Sequence, residues 1–289
     1  MDLRAEHFEE LLERFVAWAH GQEKIRSAIL VGSRARKEHP ADASSDMDII
    51  IFSTDPQSYL SSTDWLEQID HFCLTFIEPT GNGRFMERRV LFAGGYDVDF
   101  PFLPTEILHQ ELQTGLSSEL GSVLSRGARV VLDKDGLAER MLAELPQLPA
   151  LQPPSQDEFL NLVNDFWYHA IWTAKKLARG ELWTAKGCSD NYMKWRLMRM
   201  IEWSTRAKNG WEYDTWHDGR FLERWADPQV IAELPATYAA YELDDLWRGL
   251  IATMDLFQRL ALETSQSLGY PYPHRGEQCA RQIIAEIRP

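Results

Sequence analysis

The chain is poor in the residues that mark several large protein classes. Its 289 residues hold only three cysteines, Cys73, Cys188 and Cys279. They are odd in number, scattered and without a CxxC pair, so neither a disulfide framework nor a thiolate zinc site is expected. No basic run appears, and 44 acidic against 30 basic residues leave a formal charge of −14. Nucleic-acid binding relies on clustered cations that displace counterions from phosphate. The charge balance argues against that task and leaves room for a cationic partner. No apolar run approaches the ~20 residues of a membrane-spanning helix. Residues 1–15 are charged throughout, so no signal peptide is expected there and a cytoplasmic setting is. GxGxxG and Walker patterns are missing, and the histidines show no metal-ligand spacing.

Apolar and aromatic residues are plentiful. Hydrophobic residues make up 44%, with 11 Trp, 13 Phe and 9 Tyr, which is the composition of a folded globular protein. Phe8, Leu11, Leu12, Phe15, Val16 and Ala19 recur at helical spacing, with Glu9, Glu10, Glu13 and Arg14 opposite. Ala28 to Val31 reads as a buried strand ending in the turn Gly32-Ser33, and Met47 to Phe52 as a second strand after a polar loop. An apolar stretch follows around Phe72 to Phe76. Val90 to Phe92, Gly94-Gly95 and Tyr96 to Leu103 have the form of a β-hairpin.

Four prolines fall between Pro146 and Pro154, where neither a helix nor a central strand can continue. Beyond them helical patterns are expected over 156–179, 189–208, 219–226, 228–240, 242–268 and 276–287. The expected organisation is therefore an N-terminal domain of strands and helices over 1–150 and a C-terminal helical domain over 151–289.

The chemistry concentrates in three segments: Gly32-Ser33-Arg34, Ser45-Asp46-Met47-Asp48-Ile49-Ile50, and Asp97-Val98-Asp99. Asp46 and Asp48, two apart at a strand start, project from one face. Ionised together they repel, and they need a cation between them. A hard divalent ion such as Mg²⁺ takes carboxylate oxygens together with substrate phosphate oxygens. A third carboxylate on a neighbouring strand, Asp97 or Asp99, would complete a two-metal site for in-line displacement. Gly32 allows close approach of the backbone to phosphates, and Ser33 adds a hydroxyl and an N–H.

This ordered set resembles the nucleotidyltransferase superfamily that shares the DNA polymerase β palm. Within it, the chain is similar to the aminoglycoside 6-adenylyltransferases, which modify streptomycin. The similarity spans nearly the whole length and includes Leu30-Val31-Gly32-Ser33-Arg34, Asp99-Phe100-Pro101-Phe102-Leu103-Pro104, Asn164-Asp165-Phe166-Trp167, Leu197-Met198-Arg199-Met200-Ile201-Glu202-Trp203 and Tyr270-Pro271-Tyr272-Pro273. The palm motif is shared by many nucleotidyltransferases; the later helical motifs narrow the family.

The resemblance implies an α+β fold, with a polymerase β-like domain of mixed sheet and helices followed by an all-α bundle that binds the acceptor. It makes Asp46 and Asp48 the metal pair and favours Asp99 over Asp97 as the third carboxylate. Gly32, Ser33 and Arg34 fall where the triphosphate of ATP is held, and Lys175 where a helical-domain lysine reaches it. The implied reaction is Mg²⁺-dependent transfer of AMP to a hydroxyl of a cationic aminoglycoside. Asp165, Tyr168, Trp172 and Lys175 recur at three- or four-residue steps on one broad helix face. Asp165 is the spare carboxylate there, a general base for the acceptor hydroxyl or a grip on the acceptor. Trp167 reads as core, and His169 as a partly buried polar residue. Other acceptors, a lincosamide, a different aminoglycoside or a protein side chain, and a non-catalytic regulatory or toxin–antitoxin-like module are the alternative readings of the same palm.

Overall fold

A computed structural model describes residues 3–81, 83–145, 151–216 and 218–289. The chain divides into two compact units, Met1–Pro149 and Ala150–Pro289. Of the prolines expected to separate them, Pro146 and Pro149 lie outside the described residues.

The first unit is built on a sheet. Helix α1 (Leu3–His20) leads into β1 (Ile25–Val31) and β2 (Met47–Ser53). A short helix α2 (Pro56–Leu60) precedes β3 (Phe72–Pro79), β4 (Met86–Phe92) and β5 (Tyr96–Pro104). Helices α3 (Thr105–Thr114) and α4 (Ser118–Ser125), strand β6 (Ala128–Asp133) and helix α5 (Leu137–Ala143) complete it. Among the described residues the strand order is β3-β4-β5-β2-β1-β6. β2 and β5 run parallel and the other neighbours antiparallel, so the sheet is mixed.

β1 and β2 are buried on both faces, which is why they read as apolar runs rather than strict alternations. Period-two geometry sorts their side chains. Ala28, Leu30, Met47, Ile49, Ile51, Phe100 and Phe102 meet Phe8, Leu11, Leu12 and Phe15 of α1. On the opposite face Ile29, Val31, Ile50, Phe52 and Leu103 pack against Ile107, Leu108, Leu124 and Met141 of the later helices. The expected hairpin is present: Gly94 and Gly95 take φ of 89° and 83°, and β4 pairs with β5 from Phe92↔Tyr96 back to Met86↔Phe102.

The second unit is helical among its described residues. It comprises α6 (Gln156–Ala178), α7 (Leu182–Gly187), a π-helical turn Cys188–Met193, α8 (Lys194–Asn209), α9 (Leu222–Trp225), α10 (Pro228–Glu233), α11 (Leu243–Leu268) and α12 (His274–Ile287). Ser155 and Glu158 form a capping box at the start of α6, which satisfies two otherwise orphaned N–H groups. Phe166 stacks on Phe257 with ring centroids 3.6 Å apart. Trp167 is buried and its Nε1–H donates to Tyr272 Oη at 3.1 Å, so it is core. The fold is thus α+β, with mixed sheet and helices first and a helical bundle second.

Three helical expectations need correction. The segment 219–226 is α-helical only over Leu222–Trp225, with Phe221 before it at φ of 56°. The segment 228–240 is α-helical only to Glu233 and then tightens into a 3₁₀ turn, Leu234–Thr237. Pro235 has no N–H to continue an i→i−4 ladder. The segment expected as one helix from 189 begins as the π-helical turn and becomes α-helical only at Lys194.

Candidate active site

Three acidic side chains converge at one end of β2 and β5. The parallel pairing sets Asp48 beside Asp99, and Asp46 precedes β2 by one residue. One carboxylate oxygen from each of Asp46, Asp48 and Asp99 lies within 4.8 Å of the other two. Alternation puts Asp48 on the face of Ile50 and Phe52, opposite α1. Asp99 is 5% exposed. Its burial pushes the carboxyl up to about 6; Arg89 offsets part of this, while Glu87, Asp46 and Asp97 add to it. Three carboxylates this close repel one another unless a cation neutralises them, and an all-oxygen donor set suits a hard divalent ion such as Mg²⁺. Asp97 is exposed and pairs with Leu91; among the described residues it is not part of the converging group.

The turn after β1 completes this end of the sheet. Gly32 has φ of 72° and opens a 3₁₀ turn, Gly32–Arg34. A Cβ on Gly32 would sit 2.7 Å from Asp48 Oδ2, so both conformation and space call for glycine here. Ser33 Oγ is buried without a hydrogen-bond partner among the described residues, and a buried hydroxyl left unpaired is costly. A phosphate oxygen would satisfy it, so the cradle fits a nucleotide. Gly32→Ala is expected to destabilise the protein by about 1–3 kcal/mol, the usual cost of a strained backbone conformation, and to lower activity by displacing Asp48. Thermal unfolding and a steady-state assay check both effects; unchanged values in both would contradict this reading of the turn.

Arg34, expected where the triphosphate is held, also braces the loop before β2. Its Nε donates to Asp46 O at 2.9 Å and its Nη2 to Ser45 O at 2.6 Å. The guanidinium lies over the Phe8 ring, 3.4 Å from the centroid. These bonds hold the strand entry that carries Asp46. Arg34→Lys keeps the charge but not the fork, and is expected to cost about tenfold in turnover. A Lys variant with wild-type kcat would show that the fork does not position Asp46.

A second cluster lies in the helical unit. Tyr192 Oη donates to both oxygens of Asp165, at 3.1 and 3.2 Å, and Arg196 Nε donates to Oδ2 at 2.8 Å. His169 Nδ1 lies 2.7 Å from Asp165 Oδ1 and 2.9 Å from its backbone O. Burial raises the Asp165 carboxyl, but the bonds from Arg196 and Tyr192 outweigh it and hold the group below its ordinary value. Arg196 also lies over the Tyr192 ring, 3.5 Å from the centroid. On the same helix Tyr168 is 65% exposed, Trp172 is half-buried with Lys176 Nζ over its ring, and Lys175 is exposed.

The sequence places these motifs in a known group. Residues 5–287 match the model of the streptomycin adenylyltransferase family. The chain belongs to that family. It is 26% identical over 275 residues to an aminoglycoside 6-adenylyltransferase of Bacillus subtilis, covering 93% of this chain and 94% of that protein. It is 24% identical over 288 residues to one from Campylobacter jejuni, covering 96% and 94%. A crystal structure of an aminoglycoside 6-adenyltransferase from Bacillus subtilis aligns over 96% of this chain and 97% of that one, with a TM-score of 0.47 and 21% identity.

Sequence reasoning about this adenylyltransferase family member missed Arg89, Tyr192 and Arg196. Arg89 Nη2 lies 3.2 Å from Asp99 Oδ2, and its Nε reaches Glu78 at 2.5 Å and Glu87 at 3.2 Å. The signal for it was present: counting back from the Gly-Gly turn sets Arg89 directly opposite Asp99. Tyr192 and Arg196 are four residues apart on consecutive helical turns, but only tertiary packing brings them to Asp165.

Proposed function

We propose that the protein transfers AMP from ATP to a hydroxyl of an aminoglycoside, with streptomycin and its 6-hydroxyl the foremost acceptor. The acceptor oxygen attacks the α-phosphorus as its proton passes to solvent water, the bond from the α-phosphorus to the oxygen bridging to the β-phosphate breaks, and pyrophosphate leaves with that oxygen. The observation that carries this reading is the convergence of Asp46, Asp48 and Asp99 beside the Gly32–Arg34 turn, in a chain of this family. One or two Mg²⁺ ions held by these carboxylates would neutralise phosphate charge and favour the ionised acceptor hydroxyl. Ser33 Oγ binds a phosphate oxygen, Arg34 fixes the backbone of Ser45 and Asp46, and Lys175 neutralises the triphosphate. Use of ATP suits a cytoplasmic setting.

Asp165, Tyr168 and Trp172 bind the acceptor in this scheme. Burial raises the Asp165 carboxyl, but Arg196 and Tyr192 hold it below its ordinary value, which makes it a weak proton acceptor. Of its two expected roles, gripping the acceptor is the one its surroundings favour. The guanidinium groups of streptomycin match the negative charge and aromatic rings. The test is pyrophosphate release with ATP, Mg²⁺ and a panel of acceptors. Streptomycin should be turned over well and kanamycin poorly, and streptomycin affinity should weaken as salt rises. Equal turnover of the two antibiotics would contradict the streptomycin preference, and turnover of none would contradict the function.

A further inference from the structure

The sheet carries an open strip on the same face as its three converging carboxylates. Strand pairing lays it out. Asp48 of β2 stands beside Asp99 of β5, Asp99 opposite Arg89 of β4, and Arg89 opposite Phe76 of β3. Directly paired residues share a face, so one row runs from the carboxylates to the edge of the sheet. The ion pairs from Arg89 to Asp99 and to Glu78 agree with this sidedness. Leu74, two residues before Phe76, lies on the same face. Further along β2 and β5 this face is covered by Ile107, Leu108 and their neighbours, but Phe76 is 48% and Leu74 51% exposed. Adjacent apolar side chains rimmed by charged ones are a common form of ligand surface.

The strip is also acidic. Glu78 and Glu87 stand directly opposite one another, which is unfavourable for like charges. Arg89 bridges them: its Nε lies 2.5 Å from Glu78 and 3.2 Å from Glu87, while its Nη2 lies 3.2 Å from Asp99. Three carboxylates thus share one guanidinium, and negative charge remains beside the two apolar side chains. The Glu78 side chain is 39% exposed. An aromatic face, a leucine and a partly open carboxylate together suit a ring that offers C–H surface and carries a cationic substituent.

Topology decides which reactant meets this strip. The Gly32–Arg34 turn follows β1, and β1 lies on the side of β2 away from β5, β4 and β3. In-line displacement puts the entering and leaving oxygens on opposite sides of the phosphorus. With the leaving pyrophosphate toward β1, the acceptor oxygen enters from the β5 side, and the rest of the acceptor extends over β4 and β3. Two strand spacings, about 10 Å, separate Phe76 from Asp99, which is within the reach of a two-ring acceptor.

We infer that Leu74 and Phe76 form a platform for the part of the acceptor beyond its reacting ring, with Glu78 facing a cationic substituent. The inference rests on the proposed function for placing the triphosphate at the Gly32–Arg34 turn.

The test is calorimetric titration of the full-length protein with streptomycin, and separately with ATP and Mg²⁺. Phe76→Ala is expected to weaken streptomycin binding about tenfold, Leu74→Ala by a smaller factor, and Phe76→Tyr, which keeps the ring, hardly at all. Ile77 is the control: it is 41% exposed on the other face of the same strand, and Ile77→Ala should leave streptomycin affinity unchanged. ATP affinity and melting temperature should stay the same in all four variants. Unaltered streptomycin affinity in both Phe76→Ala and Leu74→Ala, or equal weakening by Ile77→Ala, would overturn the platform and leave the proposed function standing. So would a Phe76→Ala protein changed only in its oligomeric state on sedimentation, which would make this edge an interface between copies. Failure of the unaltered protein to bind any aminoglycoside of the panel would overturn both.

Discussion

Replacing Asp48 with asparagine is expected to reduce turnover on the order of 10³-fold and leave the fold intact. Loss of one carboxylate from a divalent-ion site removes several kcal/mol of charge stabilisation from the transition state, and each 1.36 kcal/mol is about a factor of ten. Stability should respond differently. Without Mg²⁺, Asp48, Asp46 and Asp99 repel across less than 4.8 Å, so the asparagine variant should melt no lower than the unaltered protein. Added Mg²⁺ should then raise the melting temperature of the unaltered protein more than that of the variant, because a ligand stabilises the state it binds. Asp99→Asn should behave alike, and Asp97→Asn, lying outside the cluster, should cost little. An Asp48→Asn enzyme with the unaltered rate in Mg²⁺ would refute the metal assignment.

Asp165→Asn is expected to raise the streptomycin KM by about 10–100-fold with kcat little changed. Hydrogen bonds to charged groups are worth about 1.5–3 kcal/mol, and losing a contact made equally in ground and transition states appears in KM alone. A general base would instead lower kcat about 10²–10⁴-fold. Single-turnover measurements at saturating streptomycin separate the two even if product release limits kcat. A slowed chemical step with unchanged KM would restore Asp165 as the base. The substitution also has a pH signature. The Asp165 carboxyl is held below its unfolded value by Arg196 and Tyr192, against burial. Its stabilisation is therefore present above an unfolded pKa of about 3.9 and is lost as pH falls through the lower folded value. The melting difference between the two proteins should be constant near neutrality and shrink in acid.

Local pattern carried the sequence reading far in some places and failed in others for physical reasons. Strands β1 and β2 were legible because burial on both faces leaves unbroken apolar runs, and the β4–β5 hairpin because two adjacent glycines at positive φ have few other uses. The long helices α6 and α11 were legible from their apolar periodicity. Helices α3, α4 and α5, at seven to ten residues, are too short for a helical period to stand out. Strand β3 gives a weak signal because it lies at the edge of the sheet, with Leu74, Phe76 and Ile77 exposed. Asp46, Asp48 and Asp99 could be paired in advance, since parallel neighbours carry their side chains in register. Choosing Asp99 over Asp97 on spacing alone was impossible, because both lie on the same side of β5. The clamp from Arg34 to Ser45 and Asp46 crosses a loop of irregular backbone, which no periodicity encodes. The bonds that quench Asp165 depend on how α6 meets α8 and the turn before it.

The most direct measurement is the mass of streptomycin after incubation with the protein, ATP and Mg²⁺. The account predicts a product heavier by one AMP moiety, one pyrophosphate released per product, and neither change with the Asp48→Asn enzyme. Streptomycin recovered unmodified, or modified equally by that variant, would contradict it.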